Sequence, residues 1–478
     1  MDQKSKIAVI GYGVEGREML KYLVKHKYAH LTVCDQRVRL KEEMPDGVSV
    51  QLGEHYLDGL EEFDVVLRSP GVPHHNPHIT SARVSGVKVS SPTQFFLDHC
   101  PCKVVGVTGT KGKGTTSTLI YEILKAEFGK KKFRFGRGGK GSQRFVYLGG
   151  NIGNPPIEFL DKLRGSDVVV LELSCFQLGD LNKSPAIAVL LNTTEDHLDY
   201  YPDVGEYMRA KELILTHQDK NDLAILNSDY DYVKYYKPLV QGRLAYVSPR
   251  EFGKLKEGVF VDEGWINMVV DGKKKRIMRV ADVSLIGSHN LENVCPAIAV
   301  GYEFGVPFGL MKKIIKKFKG LPHRLEYVAR RDGVSYYNDS FSTNPFTSMA
   351  AVDSFDNPTV LIAGGSDKGL KYNEWAQKIL TRGALEAVVL MGETAEMMRE
   401  ALEEARGKLG DAIKGGAEAT PTKVVVVDNL EHAVEAAAKL ARKGGVVVMS
   451  PAAASFDQFD NYKERGKTFR NVVKELRS

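Results

Sequence analysis

The sequence predicts an α/β protein with three consecutive domains: an N-terminal Rossmann-like sheet, a central sheet of the P-loop type and a C-terminal Rossmann-like sheet. Three observations support this fold class. Short apolar runs alternate with helical patterns along most of the chain, which is typical of parallel sheets. Glycine-rich or polar turns follow the apolar runs, and 478 residues are enough for roughly two to four domains. We place the domains at 1–98, 99–320 and 321–478.

Composition restricts the class of protein. The chain is 43% hydrophobic, which is enough for packed cores, and its formal net charge is +6. This mild basic excess suits small anionic substrates, and we expect neither nucleic acid nor a membrane as partner. The five cysteines include no C-x-x-C pair, so they indicate no zinc ribbon or disulfide framework. With no signal peptide and no apolar run near about 18 residues, we expect a cytoplasmic enzyme that acts as a monomer.

The first domain opens with a dinucleotide-type pattern. Lys6–Ile10 predicts a strand, Gly11–Gly16 a tight turn, and Leu31–Asp35 a second strand that ends in an acid. Glycines allow close approach of phosphates, and an acid at this position binds ribose hydroxyls. Another strand, in 64–72, ends in a turn at Ser69–Gly71 that we expect beside the first turn. The pattern predicts a nucleotide site without specifying the nucleotide or the chemistry.

The stretch Val104–Leu119 organises the central domain. An apolar strand leads into Gly109–Thr116 (GTKGKGTT), and helical spacing of apolar residues follows. This is the context of a phosphate loop, in which backbone N–H groups and a helix N-terminus face an anion. We predict that Lys113 contacts the outer phosphates of a nucleotide. Because Gly114 stands where Ser or Thr is usual, the hydroxyl for Mg²⁺ is assigned to Thr115 or replaced by water.

Other polar residues follow neighbouring strands of the central domain. Glu172 ends an apolar strand beside the phosphate loop, where a Mg²⁺ ligand is expected. Asn192–Asp199 follows the next strand and contains His197, which is either a structural histidine or a site residue. We expect a small antiparallel annex over residues 243–283. The basic stretch 130–147 is interpreted as a hairpin that is either solvated or adds positive charge near phosphates.

The third domain repeats the α/β pattern. Gly320–Arg324 is predicted to be a hinge, and polar turns at Gly364–Lys368 and Ser450–Asp457 follow apolar strands. Three sheets with polar turns at their strand ends predict ligands bound between domains. Together with the phosphate loop, this predicts ATP-driven chemistry assembled by domain closure.

These motifs resemble the Mur ligases, the ATP-dependent amide-forming enzymes of peptidoglycan precursor synthesis, over nearly the whole chain. The resembling segments before the third domain are Gly109–Lys113, Gly149–Gly153, Leu171–Ser174, Phe176–Leu178, Asn192–Asp199, Gly287–Asn290 with Asn293, and Pro322–Arg324. Those in the third domain resemble the branch that adds D-glutamate to UDP-N-acetylmuramoyl-L-alanine: Asn338–Ser340, Thr343–Asn344, Gly364–Gly365, Lys368, Ser450–Phe459 and Arg465–Gly466.

The resemblance implies a two-step reaction. ATP would phosphorylate the carboxylate of UDP-N-acetylmuramoyl-L-alanine, and the amine of D-glutamate would displace phosphate from the resulting acyl phosphate. It also implies a part in cell-wall biogenesis, cell shape and cell division. The implied cofactors are ATP and two Mg²⁺ ions, with Lys211 carbamylated as a ligand of the second ion.

Residue roles follow from the same resemblance. The implied catalytic residues are Lys113, Glu172, His197 and Lys211, and the implied metal ligands are Thr115, Glu172, His197 and carbamylated Lys211. ATP would contact Gly109, Thr110, Lys111, Gly112, Lys113, Gly114, Thr115, Thr116, Asn290, Asn293, Arg324 and Asp339. The UDP-sugar would contact Val14, Glu15, Asp35, Arg37, Ser69, Gly71 and Asn151. The amino acid would contact Thr343, Lys368, Ser455 and Tyr462.

One departure from the branch keeps an alternative open. Phe341 stands where the branch usually has lysine, so a Mur-like ligase for a different amino acid or acceptor is the alternative. Two other classes are a P-loop NTPase that moves a partner and an NAD-dependent oxidoreductase suggested by Gly11–Asp35. The oxidoreductase does not account for the phosphate loop, Glu172 and Lys368. The P-loop NTPase would not need the third domain with Lys368 and Ser455.

Overall fold

The computed structural model describes residues 2–129, 132–133, 142–194, 200–201, 203–250, 257–412 and 422–476. The chain divides into two units. The first comprises Met1–Val283 and Leu291–Lys317, and the second comprises Ser284–Asn290 and Phe318–Ser478. The domain boundaries after residues 98 and 320 remain predictions.

Five strands near the N-terminus of the first unit form an all-parallel sheet in the order β3-β2-β1-β4-β5. They are β1 (Lys6–Ile10), β2 (His30–Asp35), β3 (Val48–Leu52), β4 (Val65–Arg68) and β5 (Lys88–Ser90), with helices α1 (Val14–Lys25), α2 (Pro77–Val84) and α3 (Pro92–His99). This arrangement confirms the Rossmann-like prediction. The sequence missed β3 and β5, which lie at the edges of the sheet and bury few side chains.

A nine-stranded sheet among the described residues follows in the same unit, in the order β16-β15-β14-β13-β12-β11-β6-β10-β9. Its strands are β6 (Lys103–Thr108), β9 (Val146–Gly150), β10 (Val168–Glu172), β11 (Ile187–Leu190), β12 (Leu223–Asn227), β13 (Arg243–Ser248), β14 (Gly258–Asp262), β15 (Trp265–Val270) and β16 (Lys273–Arg279). Two short antiparallel strands, β7 (Lys132–Phe133) and β8 (Ser142–Gln143), pair apart from it. Most of the predicted 130–147 hairpin lies outside the described residues.

The helices of this part of the first unit include α4 (Lys113–Phe128), α5 (Cys175–Leu178), α6 (Val204–Glu212), α7 (Val233–Tyr236), α8 (Leu291–Glu303) and α9 (Phe308–Ile315). The apolar face of α4 that the spacing predicts is fully buried, with Leu119, Ile120, Ile123 and Leu124 in the core. The packed face fixes α4 against the sheet and therefore fixes where its N-terminus lies.

The prediction of a small antiparallel annex over 243–283 is confirmed for the pairing of β14, β15 and β16 but is wrong for β13, and all four strands belong to the central sheet. β13 pairs in parallel with β12, and β14 pairs in parallel with β13, so both extend the central sheet. Antiparallel pairing begins with β15 and β16. The backbone N–H and C=O groups along the edge of β12 form hydrogen bonds with β13. The pattern of apolar residues does not specify which strand makes these bonds, so the sequence did not predict this pairing.

A buried ion pair joins the N-terminal sheet to the central part of the first unit. Arg68, at the end of β4, donates to Asp180 (Nε to Oδ2, 2.6 Å) and to the Phe176 carbonyl (2.9 Å). Both charged side chains are only 1% exposed. Removal of either partner would leave a buried charge unpaired, which is costly. This pair holds β4 next to the segment that follows β10.

The second unit contains a sheet in the order β17-β18-β22-β19-β20-β21. Its strands are β17 (Glu326–Arg331), β18 (Val334–Asn338), β19 (Thr359–Gly364), β20 (Leu385–Met391), β21 (Lys423–Val426) and β22 (Val446–Met449), and its helices are α10 (Pro345–Val352), α11 (Asn373–Leu380), α12 (Ala395–Ala412), α13 (Leu430–Leu440) and α14 (Tyr462–Glu475). β17 is antiparallel to β18 and the other pairs are parallel. The third predicted α/β sheet is therefore confirmed, with β17 as an additional edge strand.

No helix in the described ranges is both long enough and apolar enough to cross a bilayer.

Candidate active site

The phosphate loop lies where the sequence predicts it, between β6 and α4. Gly109 and Gly112 have φ angles of +148° and +83°. A Cβ at Gly112 would lie 2.2 Å from Asn293 Oδ1, and one at Gly109 would lie 2.7 Å from Leu191 Cβ. Only glycine fits such contacts at these dihedrals. The resulting turn aims the N-terminus of α4 at a site for an anion.

The ammonium groups of Lys113 and Lys211 meet at this loop. Lys113 Nζ donates to the carbonyls of Gly109 (2.9 Å) and Thr110 (3.0 Å). Lys211 Nζ, from α6, donates to the same Gly109 carbonyl (3.2 Å), and its side chain is 1% exposed. The structure thus brings together lysines that are 98 positions apart in the sequence, 211 minus 113. Positive charge held at a helix N-terminus with little exposure to water suits a polyanion.

Tyr207 was missed by the sequence analysis. Its hydroxyl forms a hydrogen bond with Thr110 Oγ1 (2.9 Å), and its ring lies 4.4 Å from Lys211 Nζ. Tyr207 precedes Lys211 by four positions on α6, so the two share a helix face. Once Lys211 is taken as a site residue, this four-residue spacing on a helix would have indicated Tyr207 as its neighbour in the site.

Glu172 lies at the end of β10, next to β6 and β9. Its side chain is 5% exposed, and Asn151 Nδ2 donates to Glu172 Oε1 (2.9 Å). A Cβ at Gly150 would lie 2.1 Å from the Glu172 carbonyl oxygen, which explains the glycine before Asn151. The structure therefore joins two residues for which the sequence predicts different ligands, Mg²⁺ for Glu172 and the UDP-sugar for Asn151.

The segment after β11 is tied to the phosphate loop. The Thr110 amide donates to the Asn192 carbonyl (2.7 Å), and the Lys111 amide donates to Asn192 Oδ1 (3.0 Å). Thr110 Oγ1 also donates to the Thr194 carbonyl (3.0 Å). The next residues, 195–199, lie outside the described part of the chain, and the prediction for His197 falls there. Within the described residues, no group of three or more His, Cys, Asp or Glu side chains forms a metal site.

The first turns of α4 and α8 are joined by a hydrogen bond. Thr116 Oγ1 donates to Asn293 Oδ1 (3.0 Å), and both side chains are buried. Thr115 is 8% exposed, and Gly114 beside it is buried. The structure thus places Asn293, a predicted ATP contact, directly against the phosphate loop. The hydroxyl of Thr115 and the carboxylate of Glu172 are oxygen donors of the kind that Mg²⁺ prefers.

A cavity of about 390 Å³ lies at the carboxyl edge of the N-terminal sheet. A Cβ at Gly16 would lie 2.1 Å from the Gly11 carbonyl oxygen, so the close turn beneath the cavity requires glycine. The predicted UDP-sugar contacts that line the cavity are Val14, Glu15, Asp35, Ser69 and Gly71. Arg37 and Asn151, also predicted, are not among the described lining residues.

Asp35 is held as a carboxylate by a network of donors. Arg37 donates to both carboxylate oxygens (2.7 and 3.0 Å), and the Tyr12 amide donates to Oδ2 (2.6 Å). Burial raises the pKa of Asp35, but the hydrogen bonds from Arg37 and from two backbone amides outweigh it and hold the pKa below its ordinary value. The residue therefore presents an ionised acceptor to the cavity, as binding of a ribose or base donor requires.

Glu15, in the first turn of α1, differs from Asp35. Gln177 Nε2 donates to Glu15 Oε1 (2.7 Å), whereas Oε2 is buried without a hydrogen-bond partner among the described residues. Burial raises the pKa of Glu15 to about 7, although the Gln177 hydrogen bond and the charge of Arg68 oppose this. Sequence analysis identified Glu15 but not its partner Gln177, which is 162 positions away.

The second unit carries the remaining predicted ATP contacts. Asp339 follows β18 and is buried; its carboxylate accepts from Ser450 Oγ (2.7 Å), the Ser342 hydroxyl and the Leu325 amide (3.1 Å). Burial raises the pKa of Asp339 to about 6, and the two serine hydrogen bonds oppose this shift.

Arg324 stacks on Phe341, with its Cζ 3.7 Å from the ring centroid. Asn290 Nδ2 donates to the Ile286 carbonyl (2.6 Å).

Predicted amino-acid contacts also lie in this unit. The Tyr462 and Phe341 rings pack perpendicular to each other, with centroids 5.1 Å apart, and the Thr343 amide donates to the Phe341 carbonyl (2.9 Å). Lys368 Nζ lies 4.8 Å from the ring centroid of Phe456, the residue after Ser455. The structure thus groups Thr343 with Tyr462 around Phe341, and Lys368 with the loop that carries the buried Ser455.

Comparison with known proteins covers the whole chain. Three family models match: the MurD-like N-terminal domain of Mur ligases at residues 5–91, the Mur ligase middle domain at 107–301 and the Mur ligase glutamate ligase domain at 323–453. A UDP-N-acetylmuramoylalanine–D-glutamate ligase of Clostridium tetani is 34% identical, covering 98% of this chain and 97% of the relative. The enzyme of that name from Symbiobacterium thermophilum is 35% identical, covering 99% and 98%.

Solved structures support the same fold. A MurF ligase from Thermotoga maritima in complex with ADP matches with a TM-score of 0.56 at 16% identity, covering 99% of this chain and 96% of that one. The UDP-N-acetylmuramate-alanine ligase MurC of Thermotoga maritima matches with a TM-score of 0.56 at 18% identity, covering 99% and 100%. From the three matching family models and the full-length relatives, we conclude that this chain belongs to the Mur ligase family.

Proposed function

We propose that this chain is an ATP-dependent ligase that joins D-glutamate to UDP-N-acetylmuramoyl-L-alanine in peptidoglycan precursor synthesis. The observation that carries the proposal is the meeting of Lys113 and Lys211 at the Gly109 carbonyl, on a phosphate loop beside the buried Glu172. Full-length relatives that bear the name of D-glutamate ligases support the choice of amino acid.

The chemistry explains why ATP is needed. A carboxylate is a poor acyl donor, so its oxygen first attacks the γ-phosphorus of ATP, which forms an acyl phosphate and releases ADP. The amine of D-glutamate then attacks the acyl carbon. The new C–N bond forms, the C–O bond to phosphate breaks, and the amine gives up a proton. Because the reacting groups are anions, fixed positive charge supplies most of the catalysis.

The phosphate loop is assigned to ATP. The amides of Gly109–Thr116 and the ammonium of Lys113 would hold the outer phosphates, and Asn293 would position the nucleotide next to α4. In the second unit, Asn290, Arg324 and Asp339 are assigned to ATP as well. Support comes from the glycine geometry of the loop and from the Thr116–Asn293 hydrogen bond.

We assign Mg²⁺ to Thr115, Glu172 and His197. When bound, Mg²⁺ neutralises phosphate charge and orients the transferred phosphoryl group. The buried Glu172 oxygens and the Thr115 hydroxyl are donors that suit this ion. We also propose that the Lys211 ammonium loses a proton, that the resulting amine attacks CO₂ and gives up a second proton to form a carbamate, and that this new anion holds a second Mg²⁺. The change would relieve the repulsion between two ammonium groups on one carbonyl.

The remaining contacts divide between two substrates. The cavity above Gly11 is assigned to the uridine nucleotide, with Val14, Glu15, Asp35, Arg37, Ser69 and Gly71 around it, and Asn151 is assigned to the muramoyl part. Thr343, Lys368, Ser455 and Tyr462 are assigned to D-glutamate. Because its substrates are ATP and a nucleotide sugar, we propose that the enzyme acts in the cytoplasm, and that it acts as a monomer.

Release of phosphate from ATP tests the function. We expect ADP and phosphate only when UDP-N-acetylmuramoyl-L-alanine and D-glutamate are both present, with the amide product identified by mass spectrometry. Other amino acids, including L-glutamate, are tested one at a time in place of D-glutamate. Equal ATP turnover without these substrates would contradict a ligase and favour a P-loop NTPase. Faster turnover with another amino acid would contradict the assigned substrate.

A further inference from the structure

The segment before β17 holds Arg324 in a fixed orientation. The residues on either side of it have left-handed backbone conformations, with φ angles of +65° at His323 and +44° at Leu325. Such conformations persist when surrounding contacts impose them. Here the Leu325 amide donates to Asp339 Oδ1 (3.1 Å), and the His323 amide donates to Glu326 Oε2 (2.9 Å). The backbone therefore presents Arg324 from a segment that is pinned on both sides.

Phe341 fixes the other end of the Arg324 side chain. The guanidinium carbon lies 3.7 Å from the centre of the Phe341 ring, close enough for a strong cation–π contact. The Phe341 amide donates to the His323 carbonyl (3.0 Å), so the ring and the arginine segment are also joined through the backbone. Tyr462 meets the Phe341 ring at 89°. The ring is thus packed against Tyr462 while one of its faces carries the arginine.

A lysine at position 341 could not do this. Its ammonium would lie beside the guanidinium of Arg324, and the two like charges would repel each other. An aromatic ring instead attracts the guanidinium and is well suited to stacking with it. Phe341 therefore determines the surroundings of Arg324 as well as those of Tyr462.

We propose that Phe341 is a positioning residue for ATP: its ring holds the guanidinium of Arg324 in the orientation that binds the nucleotide. This inference rests on the assignment of Arg324 to ATP in the proposed function. It predicts that the aromatic character of residue 341, rather than its volume, determines nucleotide affinity. It also predicts that loss of the ring weakens binding of the nucleotide more than binding of D-glutamate.

The test compares substitutions that keep the ring with substitutions that remove it. The variants are Phe341→Tyr, Phe341→Leu and Phe341→Lys, and the matched control is Phe346→Leu, which removes an exposed ring on α10. Calorimetry with Mg²⁺ and the non-hydrolysable ATP analogue AMP-PNP gives the nucleotide Kd of each variant. Steady-state kinetics gives KM for ATP and for D-glutamate. Thermal melting shows which variants are folded.

We expect Phe341→Leu to raise the AMP-PNP Kd and the KM for ATP roughly fivefold. Phe341→Lys should raise both further, and Phe341→Tyr and Phe346→Leu should leave both within about twofold of the unmodified chain. The KM for D-glutamate should rise by a smaller factor than the KM for ATP in Phe341→Leu. The proposal would be overturned if Phe341→Leu and Phe341→Tyr weakened AMP-PNP binding equally, or if neither weakened it. A change confined to the KM for D-glutamate would also overturn it.

A double-mutant cycle keeps the proposal testable if Phe341→Leu also lowers stability. In an Arg324→Ala background the ring has no guanidinium to hold, so Phe341→Leu should not weaken AMP-PNP binding further. Additive effects would overturn the proposal. Because AMP-PNP binding does not require turnover, absence of ligase activity in the unmodified chain would count against the proposed function and not against the role of Phe341.

Discussion

Two glycine turns in the first unit share a backbone design and differ in charge. Gly11–Gly16 follows β1 and leads into α1, and Gly109–Gly112 follows β6 and leads into α4. Each helix has a glycine as its N-cap, which supplies no side-chain acceptor to the first N–H groups. Both turns can therefore direct backbone donors at an anion.

The side chains around the turns are of opposite charge. Glu15 and Asp35 face the N-terminal cavity, whereas Lys113 and Lys211 meet at the central loop. The comparison teaches that a glycine turn specifies only that phosphate can approach. The nearby charges determine whether the turn also stabilises the transfer of a phosphoryl group, which requires cations. We therefore assign binding to the first turn and chemistry to the second.

The largest expected effect is that of Lys113→Ala. Removal of its ammonium takes away one of the cations assigned to the developing phosphate charge, so ligase turnover should fall about a thousandfold or more. Lys125→Ala, on the same helix near its C-terminus, is the control and should retain activity. The measurement is amino-acid-dependent phosphate release. If turnover fell by less than about tenfold in Lys113→Ala, we could no longer assign chemistry to the second turn and only binding to the first.

Lys211→Ala tests whether the second lysine is modified. Loss of the proposed carbamate should lower turnover by about a hundredfold, and added short carboxylic acids should restore part of it by supplying an oxygen ligand. Mass spectrometry of the native protein should show the mass of added CO₂. Lys234→Ala, which removes a lysine that is exposed in the structure, is the control. Undiminished activity in Lys211→Ala would exclude this residue from the site.

Asp35→Asn tests the binding role of the first turn. An amide cannot retain the charge that Arg37 and the backbone donors stabilise, so the KM for the UDP-sugar should rise about tenfold. The kcat should stay within about twofold because the residue acts on binding alone. Asp46→Asn, in an exposed loop, is the control. A fall in kcat with unchanged KM would assign Asp35 to the chemistry instead.

The sequence predicts both turns because each is a local pattern. Glycine, lysine and threonine spacing around Lys113 specifies a strand, a loop and a helix, and the acid of Asp35 falls at the expected distance from Gly11. Contacts between distant segments carry no such signal. Tyr207 reaches Thr110 across 97 positions, and Gln177 reaches Glu15 across 162. Local periodicity also failed to show that β13 would pair with β12 rather than begin an annex.

The smallest expected effect concerns Glu15, whose pKa is raised from 4.5 to about 7 by burial. Between these values the folded chain binds a proton that the unfolded chain has lost. The contribution of Glu15 to the free energy of unfolding therefore decreases as the pH rises from about 4.5 to about 7, by at most about 3 kcal/mol in total. Glu15→Gln keeps an acceptor for Gln177 and removes the titration. The variant should match the unmodified chain near pH 4 and exceed its stability at pH 8.

Denaturant unfolding at a series of pH values measures this difference, and Glu18→Gln on the same helix is the control for loss of a carboxylate. A constant difference for Glu15→Gln would show that Glu15 is ionised across this range. The first turn would then present two carboxylates to the nucleotide at neutral pH. In that case its backbone donors would have to overcome more repulsion than we infer, and the contrast with Lys113 and Lys211 would be sharper.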